Sequence, residues 1–191
     1  FDSIEKLGIA SSQRYAFACE KLAQVGFVQP EAILEQYPFQ LSGGMAQRVT
    51  IALALCSKAK LLIADEPTNG LDQDSKRQTL SLLKDLFPDA AKLIITHDIS
   101  VAAACDRILV LCGGRMLETG ISSEVLAVPY QPYTKALLGA LVENEMQETP
   151  ALREELGFCP FYRRCPSAMD RCRTEMPQRK ANDREWWCCV E

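Results

Sequence analysis

Apolar residues recur at near-helical spacing from Gln13 to Val25, at Ala16, Cys19, Leu22, Ala23 and Val25, and predict a helix that Gly26 ends. Pro30 opens a short second helix reaching about Gln36, because a proline in the first turn gives up an N–H that has no helical partner. Tyr37-Pro38 breaks it, and a long apolar helix is expected from Met45 to about Lys58. The period then changes. Leu61-Leu62-Ile63-Ala64 is a continuous apolar run of the kind that forms a strand buried on both faces. Residues 67–70 form a loop into a helix from Gln73 to about Phe87, stopped by Pro88. Lys92 to Thr96 predicts a second buried strand, Ile99 to Cys105 a short helix and Arg107 to Cys112 a third strand. Gly113-Gly114 turns that strand into Arg115 to Thr119 as a hairpin. Strands alternating with helices predict an α/β unit with a mainly parallel sheet.

Past Gly120 the pattern weakens. A short helix is expected near Ser122, with Glu124 in its first turn, and another from Tyr133 to about Val142 after the breaker Pro129 to Pro132. Glu143 to Pro150 is polar and acidic, as a linker would be, and the tail from Ala151 is rich in arginine and cysteine with little apolar periodicity. There is no internal repeat and no low-complexity tract. An apolar fraction of 48% and a charged fraction of 24% are those of an ordinary globular protein. The net charge of −4 argues against broad electrostatic binding to nucleic acid. No apolar run reaches the ~18–20 residues that cross a bilayer. Phe1-Asp2-Ser3 does not open a signal peptide, and with no initial Met the chain is expected to be a piece of something longer.

Leu41-Ser42-Gly43-Gly44-Met45-Ala46-Gln47-Arg48 puts two glycines at the mouth of the long apolar helix. The first N–H groups of a helix lack partners within it, and the helix dipole adds partial positive charge, so such a turn suits an anion. Glycines let a phosphate approach the backbone, and Ser42 can cap the helix or donate its hydroxyl. Ser-Gly-Gly alone occurs in many loops. Its weight comes from Asp65 and Glu66, which end an apolar strand a short way on, at the edge where open α/β sheets bind ligands. One carboxylate there can hold Mg²⁺, chiefly through water, and the second can polarise an attacking water. The plain alternative, an acidic pair that only caps the loop, is outweighed by the strand, Asp65-Glu66-Pro67-Thr68 and the glycine turn together. His97, the only histidine, ends the next strand and can face the same crevice. There it could donate to a phosphate oxygen, although a lone histidine is more often structural.

Together these residues resemble the ATP-binding-cassette (ABC) ATPases. Leu41 to Met45 resembles their signature motif, Leu61 to Glu66 their Walker B strand, Gly70-Leu71-Asp72 their D-loop and Thr96-His97-Asp98 their switch histidine, in matching order across roughly Gln13 to Gly120. Met45, the segment Gln131 to Leu138 and the cysteine-rich tail resemble the peptide/nickel importer group, although Tyr37-Pro38-Phe39-Gln40 stands where that group commonly has Tyr-Pro-His-Glu. The resemblance implies a partial P-loop NTPase fold with a helical signature subdomain (1–60), a parallel-sheet core carrying the Walker B and switch regions (61–120), helices and a linker (121–150) and a small cysteine-rich C-terminal appendage (151–191). It implies ATP and Mg²⁺ as cofactors. Asp65 would organise Mg²⁺, Glu66 would be the general base or water-positioning group, and His97 would contact the γ-phosphate. Ser42, Gly43 and Gly44, with Gln47 beside them, would bind nucleotide held by the opposite subunit, and Asp72 would meet that partner's phosphate loop.

A phosphate loop needs Gly-x-x-x-x-Gly-Lys-Ser/Thr, and neither that stretch nor a glutamine loop is found in these residues. Both are expected before Phe1. The chain is therefore expected to be the C-terminal portion of a nucleotide-binding subunit that neither binds ATP tightly nor hydrolyses it alone.

Cys19, Cys56, Cys105 and Cys112 lie in apolar segments and read as buried free thiols. The other five, Cys159, Cys165, Cys172, Cys188 and Cys189, fall in the tail. Disulfides fit poorly with a reducing cytosol. Zinc usually shows tighter Cys-x₂₋₄-Cys knuckles, a [4Fe–4S] cluster tolerates varied spacing, and free thiols remain the plain reading. The resemblance implies a [4Fe–4S] cluster on Cys159, Cys165, Cys172 and Cys188, with zinc as the alternative and Cys189 as the other choice of fourth ligand. Arg163, Arg164, Arg171 and Arg173 would then offset its charge or, equally, form a solvated basic surface, and Trp186-Trp187 would cover the site or pack on the other domain.

The function implied is that of the ATPase subunit of an inner-membrane importer for peptides or nickel-type complexes. It would dock on permease subunits at the cytoplasmic face, pair with a second ABC ATPase subunit and bind no nucleic acid. The rivals are a soluble ABC ATPase of DNA repair or translation, and a non-catalytic metal-binding or regulatory module.

Overall fold

The computed structural model describes residues 2–5, 7–57, 59–141 and 157–190. The expected linker and the start of the tail fall outside them. The chain divides into two compact units, Phe1–His97 and Asp98–Glu191.

In the first unit, α1 (Asp2–Glu5) precedes α2 (Ser11–Gln24), α3 (Pro30–Leu34) and α4 (Gly43–Leu55). The predicted helices are present with shifted ends, and a 3-10 turn over Pro38–Gln40 fills the break before α4. Leu22 and Val25 of the α2 region, Ile51 and Ala52 of α4, and Leu83, Phe87 and Ala90 at and beyond the end of α5 (Gln73–Leu86) make the core. Leu62 packs against it from β1 (Leu61–Asp65). β1 pairs in parallel with β2 (Ala91–Ile95), in register from Leu61↔Ala91 to Asp65↔Ile95.

The apolar runs predicted strands buried on both faces, and that expectation fails. Leu61 and Ile63, and likewise Leu93 and Ile95, are about half exposed or more, while alternate residues are half-buried. Side chains alternate across a strand, and the core described lies on only one side of this two-stranded sheet.

In the second unit, α6 (Ile99–Ala103) leads to β3 (Arg107–Cys112) and β4 (Arg115–Ile121). Gly113 and Gly114 take φ of 53° and 74°, the left-handed pair that a two-residue hairpin turn needs. After α7 (Ser122–Ala127) and α8 (Pro132–Gly139), the tail forms β5 (Gln178–Ala181) and β6 (Arg184–Trp187), and the sheet runs β3-β4-β6-β5, antiparallel throughout. The expected mainly parallel core is thus limited to β1 and β2. A two-residue turn can only return a strand antiparallel, and the tail hairpin then extends that sheet.

Nor is the tail an outlying appendage: β6 pairs with β4 through Glu118↔Trp186 and Thr119↔Glu185. A buried ion pair fastens it. Glu118, fully buried, accepts from Arg184 Nε at 3.0 Å and from Arg184 Nη2, and also from the Tyr130 and Gln131 amides at 2.9 and 3.2 Å. Arg184 lies over the Tyr130 ring at 3.7 Å, and Trp186 meets that ring edge-on.

Candidate functional sites

Glu66 follows β1 at the end of the parallel pair. Its amide donates to the Ile95 carbonyl at 2.8 Å, so β2 fixes its backbone, and its φ of 46° is rare for a side chain of this size. The carboxylate is thereby aimed at the end of the neighbouring strand. Its Oε1 accepts from the His97 amide at 3.1 Å and lies 2.8 Å from His97 Nδ1, while Thr96 Oγ1 reaches Oε2 at 3.5 Å. Glu66 is half-buried and His97 mostly exposed, so the pair faces solvent with the imidazole outermost. Asp65, one residue earlier, ends β1 exposed. The structure therefore brings together the predicted acid and the predicted histidine. Thr96 was not anticipated as a partner of the acid, although it precedes His97 in the motif.

Ser42 is the N-cap of α4, with its Oγ accepting from the Met45 amide at 3.3 Å. Nothing lies within 4 Å of where a Cβ would stand on Gly43 or Gly44, and neither has a positive φ. Neither backbone conformation nor packing inside this chain calls for glycine there, which leaves the turn open to approach from outside. Gln47 is half-buried on α4. Asp72 caps α5, accepting from the Asp74 and Ser75 amides at 3.0 and 2.9 Å and from the Ser75 hydroxyl at 2.7 Å. These donors, the Ser75 amide foremost, hold its carboxyl below the usual value. Among the described residues, no hydrogen bond or ion pair joins Ser42, Gly43, Gly44, Gln47 or Asp72 to Glu66 or His97.

The five tail cysteines are all buried and line one cavity of about 10 Å³, with Gln131, Phe161, Tyr162 and Met176 among its walls. That volume is at the lower limit for a single water. Cys159 sits before a 3-10 turn and Cys172 within another; the Cys159 amide donates to the Cys172 carbonyl at 3.1 Å.

Three of these sulfurs share one local arrangement. Cys159 accepts from the Phe161 amide, Cys165 from the Ser167 amide and Cys188 from the Val190 amide, the last at 3.4 Å; each donor is two residues on. Cys189 behaves differently, donating to the Glu175 carbonyl at 3.4 Å and hydrogen-bonding with Cys172. Burial pushes Cys165 up to about 11, and burial with the Cys172 hydrogen bond does the same to Cys189.

Among the described residues, no three His, Cys, Asp or Glu side chains are grouped so as to hold a metal ion. The cations acting on Cys188 are Arg179, which also donates to the Cys188 carbonyl at 3.0 Å, and Lys135. The expected Arg171 acts instead on Cys189, and it pairs with Glu175 at 2.6 Å. The amide donors and Arg179 escaped the sequence reading because backbone geometry and the β5–β6 hairpin place them. The four scattered cysteines, expected buried, are half-buried.

Residues 3–69 match the ABC transporter family, and residues 117–172 match the C-terminal region of oligopeptide/dipeptide transporters. The oligopeptide transport ATP-binding protein AppD of Bacillus subtilis is 41% identical over 84% of this chain and 52% of its own length. The dipeptide transport ATP-binding protein DppD of Escherichia coli is 42% identical over 87% of this chain and 54% of its own. The chain spans about half the length of the curated relatives it matches. Among solved structures, the dimeric structure of MJ0796, a bacterial ABC transporter cassette, is 33% identical with a TM-score of 0.53, over 60% of this chain and 49% of that one. The same cassette is also solved in a post-hydrolysis state bound to ADP and Pi. Among the described residues, no helix is long and apolar enough to cross a membrane.

Proposed function

We infer, from a chain that belongs to the ABC transporter ATPases, that the full-length protein hydrolyses ATP to drive a membrane importer. We further infer that these residues supply the catalytic acid, the switch histidine and the signature turn. The observation that carries this is the Glu66–His97 pair at the adjoining ends of two parallel strands. Glu66 holds the carboxylate that takes a proton from, or orients, the attacking water. His97, fixed through Nδ1, has Nε2 left to meet the terminal phosphate. Asp65 would hold Mg²⁺, whose charge eases phosphoryl transfer when bound. The open turn at Ser42, Gly43 and Gly44, with Gln47, serves nucleotide carried by a second ATPase subunit, whose phosphate loop Asp72 meets. In the full-length protein Glu66→Gln is expected to stop turnover while ATP-dependent dimers still form. Near-normal hydrolysis by that variant removes Glu66 as the base.

Peptides are the cargo this reading favours, because the relatives named above carry oligopeptides or dipeptides in their names and residues 117–172 match their C-terminal region. Permease subunits, at whose cytoplasmic face the protein would sit peripherally, are the partners that follow. The division at 60, 120 and 150 is retained as a functional partition into signature, Walker B and switch, linker and thiol parts. The 191-residue chain by itself is expected neither to bind ATP tightly nor to turn it over; saturable, Mg²⁺-dependent binding in a titration would remove that claim.

For the thiols the reading is a [4Fe–4S] cluster on Cys159, Cys165, Cys172 and Cys188. Amide donors to three of these sulfurs suit thiolates, which accept and have no proton to give. Zinc, which four sulfurs would hold at ~2.3 Å, is the alternative. Held by Cys159, Cys165, Cys172 and Cys188, a cluster would supply one-electron chemistry or a structural pin. Anaerobic purification with iron and sulfide analysis tests it: a colourless protein, or one containing zinc, removes the cluster.

A further inference from the structure

Two thiols stand on consecutive residues, Cys188 and Cys189, and one side chain on the neighbouring strand holds the backbone of both. Arg179, half-buried on β5, donates from Nε to the Cys188 carbonyl at 3.0 Å and from Nη2 to the Cys189 carbonyl at 3.4 Å. The hairpin makes this reach possible. β5 and β6 pair with Arg179 opposite Trp186, and the Cys188 amide continues the ladder by donating to the Pro177 carbonyl at 3.0 Å. Cys188 is thus held at its amide by Pro177, at its carbonyl by Arg179 and at its sulfur by the Val190 amide.

Among the described residues no carboxylate forms an ion pair with Arg179, so its charge is not neutralised by an acid. The arginines nearer the other cysteines in sequence are placed differently. Arg171 pairs with Glu175 at 2.6 Å, and Arg164 and Arg173 are exposed.

We propose that Arg179 is the positioning residue of the thiol site: its guanidinium fork seats Cys188 as the fourth ligand and its charge raises the reduction potential of an iron–sulfur cluster bound there. This rests on the cluster reading and deepens it. A fork that spans two successive carbonyls fixes the backbone between them, and with it the direction in which the Cys188 side chain leaves the chain. Lysine would keep the charge without that rigid two-pronged geometry. The charge has a separate effect. Reduction adds one electron, and a cation beside a buried site, where water screens little, stabilises the added negative charge. Arg179 therefore favours the reduced form.

The test uses the full-length protein, reconstituted anaerobically with iron and sulfide, as the parent and as Arg179→Gln, Arg179→Lys and Arg164→Gln. Iron and sulfide per chain report loading, a dye-mediated titration with dithionite reports the potential, and competition with a chelator reports how tightly iron is held. Arg179→Gln should load a cluster of lower potential that holds iron ~10–100-fold less tightly, the usual cost of removing a group that orients a metal ligand. Arg179→Lys should keep the parent's potential but hold iron less tightly, since the charge stays and the fork goes. Arg164→Gln, an equal change of charge beside Cys165, should match the parent in both. Arg179→Gln at the parent's potential, or an equal drop in Arg179→Lys or Arg164→Gln, overturns the proposal. Should Arg179→Gln not load, Arg179→Lys decides by the same two readings. If neither loads, the proposal fails, because a residue that orients one ligand should not abolish loading. A parent that takes up no iron and sulfide instead removes the cluster reading, and the proposal with it, so the two failures are told apart.

Discussion

Glu66 and His97 meet because two short strands run side by side in register, each delivering one residue of its own local motif to a shared edge. The tail thiols meet by another route. Two 3-10 turns and the end of a hairpin bring Cys159, Cys165 and Cys172 to the sequence-distant Cys188 and Cys189. The first arrangement is exposed and depends on a few backbone hydrogen bonds. The second is buried and depends on a hairpin that is itself anchored by the Glu118–Arg184 pair. A site of the first kind tolerates changes around it and waits for its ligand from outside. A site of the second kind stands or falls with the packing of its whole unit.

The largest effect should therefore come from the anchor. Arg184→Met leaves Glu118 charged, buried and unpaired, a change that costs about 3–5 kcal/mol in such sites. Urea unfolding followed separately in each unit should show the loss in the second, and the five tail thiols should react with a thiol reagent under native conditions. Pairing it with Glu118→Met should restore much of the stability, since an apolar pair removes the stranded charge. A single variant as stable as the parent would show that the hairpin does not depend on this pair.

Next in size is the turn that makes the antiparallel sheet. Gly113 has φ of 53°, and a Cβ there would stand 2.9 Å from Pro160 Cβ, in the segment just after Cys159. Gly113→Ala should cost roughly 2 kcal/mol, combining the left-handed penalty with that contact. Gly44→Ala is the counterpart in the exposed site. It meets nothing and has no left-handed φ, so stability should hold or rise by up to ~1 kcal/mol, while ATP-dependent dimerisation of the full-length protein should fall. Equal losses of stability at the two glycines would erase the contrast between an internal need for glycine and an external one.

The same contrast explains what the sequence made legible. Ser42, Gly43, Gly44, Asp65, Glu66, Asp72 and His97 belong to contiguous motifs at strand or helix ends; most stood out from the local pattern, and Asp72 from the family resemblance that the motifs carry. β1 and β2 were legible as strands, yet Leu61 and Ile63 were misread as doubly buried, because an apolar run does not say how many layers will cover it. The β5–β6 hairpin was missed because Gln178 to Ala181 is polar. Only Asn182, at φ of 53° beside Asp183, marked its turn. The cysteines announced a cluster of thiols but not their inequality, since that rests on which backbone amide happens to point at each sulfur. Arg184 and Glu118 are 66 residues apart and had no motif to join them.

A smaller effect tests the local character of the first site. Ser42→Ala removes the oxygen that accepts the Met45 amide and should destabilise α4 by about 1 kcal/mol, read from the first unit's unfolding. The Glu66–His97 pair is held by β1 and β2 rather than α4, so the hydrogen-exchange protection of the His97 amide should be unchanged. Loss of that protection would mean that the two motifs are mechanically one.

The smallest predicted effect concerns Asp72 and has a definite sign. Its carboxyl lies below the usual value because the Ser75 amide and hydroxyl, with the Asp74 amide, prefer it ionised. An acid of lowered pKa binds its proton less readily folded than unfolded, so its contribution is complete above the unfolded value, near 3.8, and is lost as pH falls through the folded value. Asp72→Asn keeps an oxygen that accepts the same amides but cannot titrate. Against the parent, the variant should therefore be slightly less stable at neutral pH, with the difference shrinking as the pH is lowered past 4. Other carboxylates titrate in both proteins and cancel in that difference. A gap that stays constant with pH would mean that the cap works through its oxygen alone, and that the charge of Asp72 is held in reserve for something outside this chain.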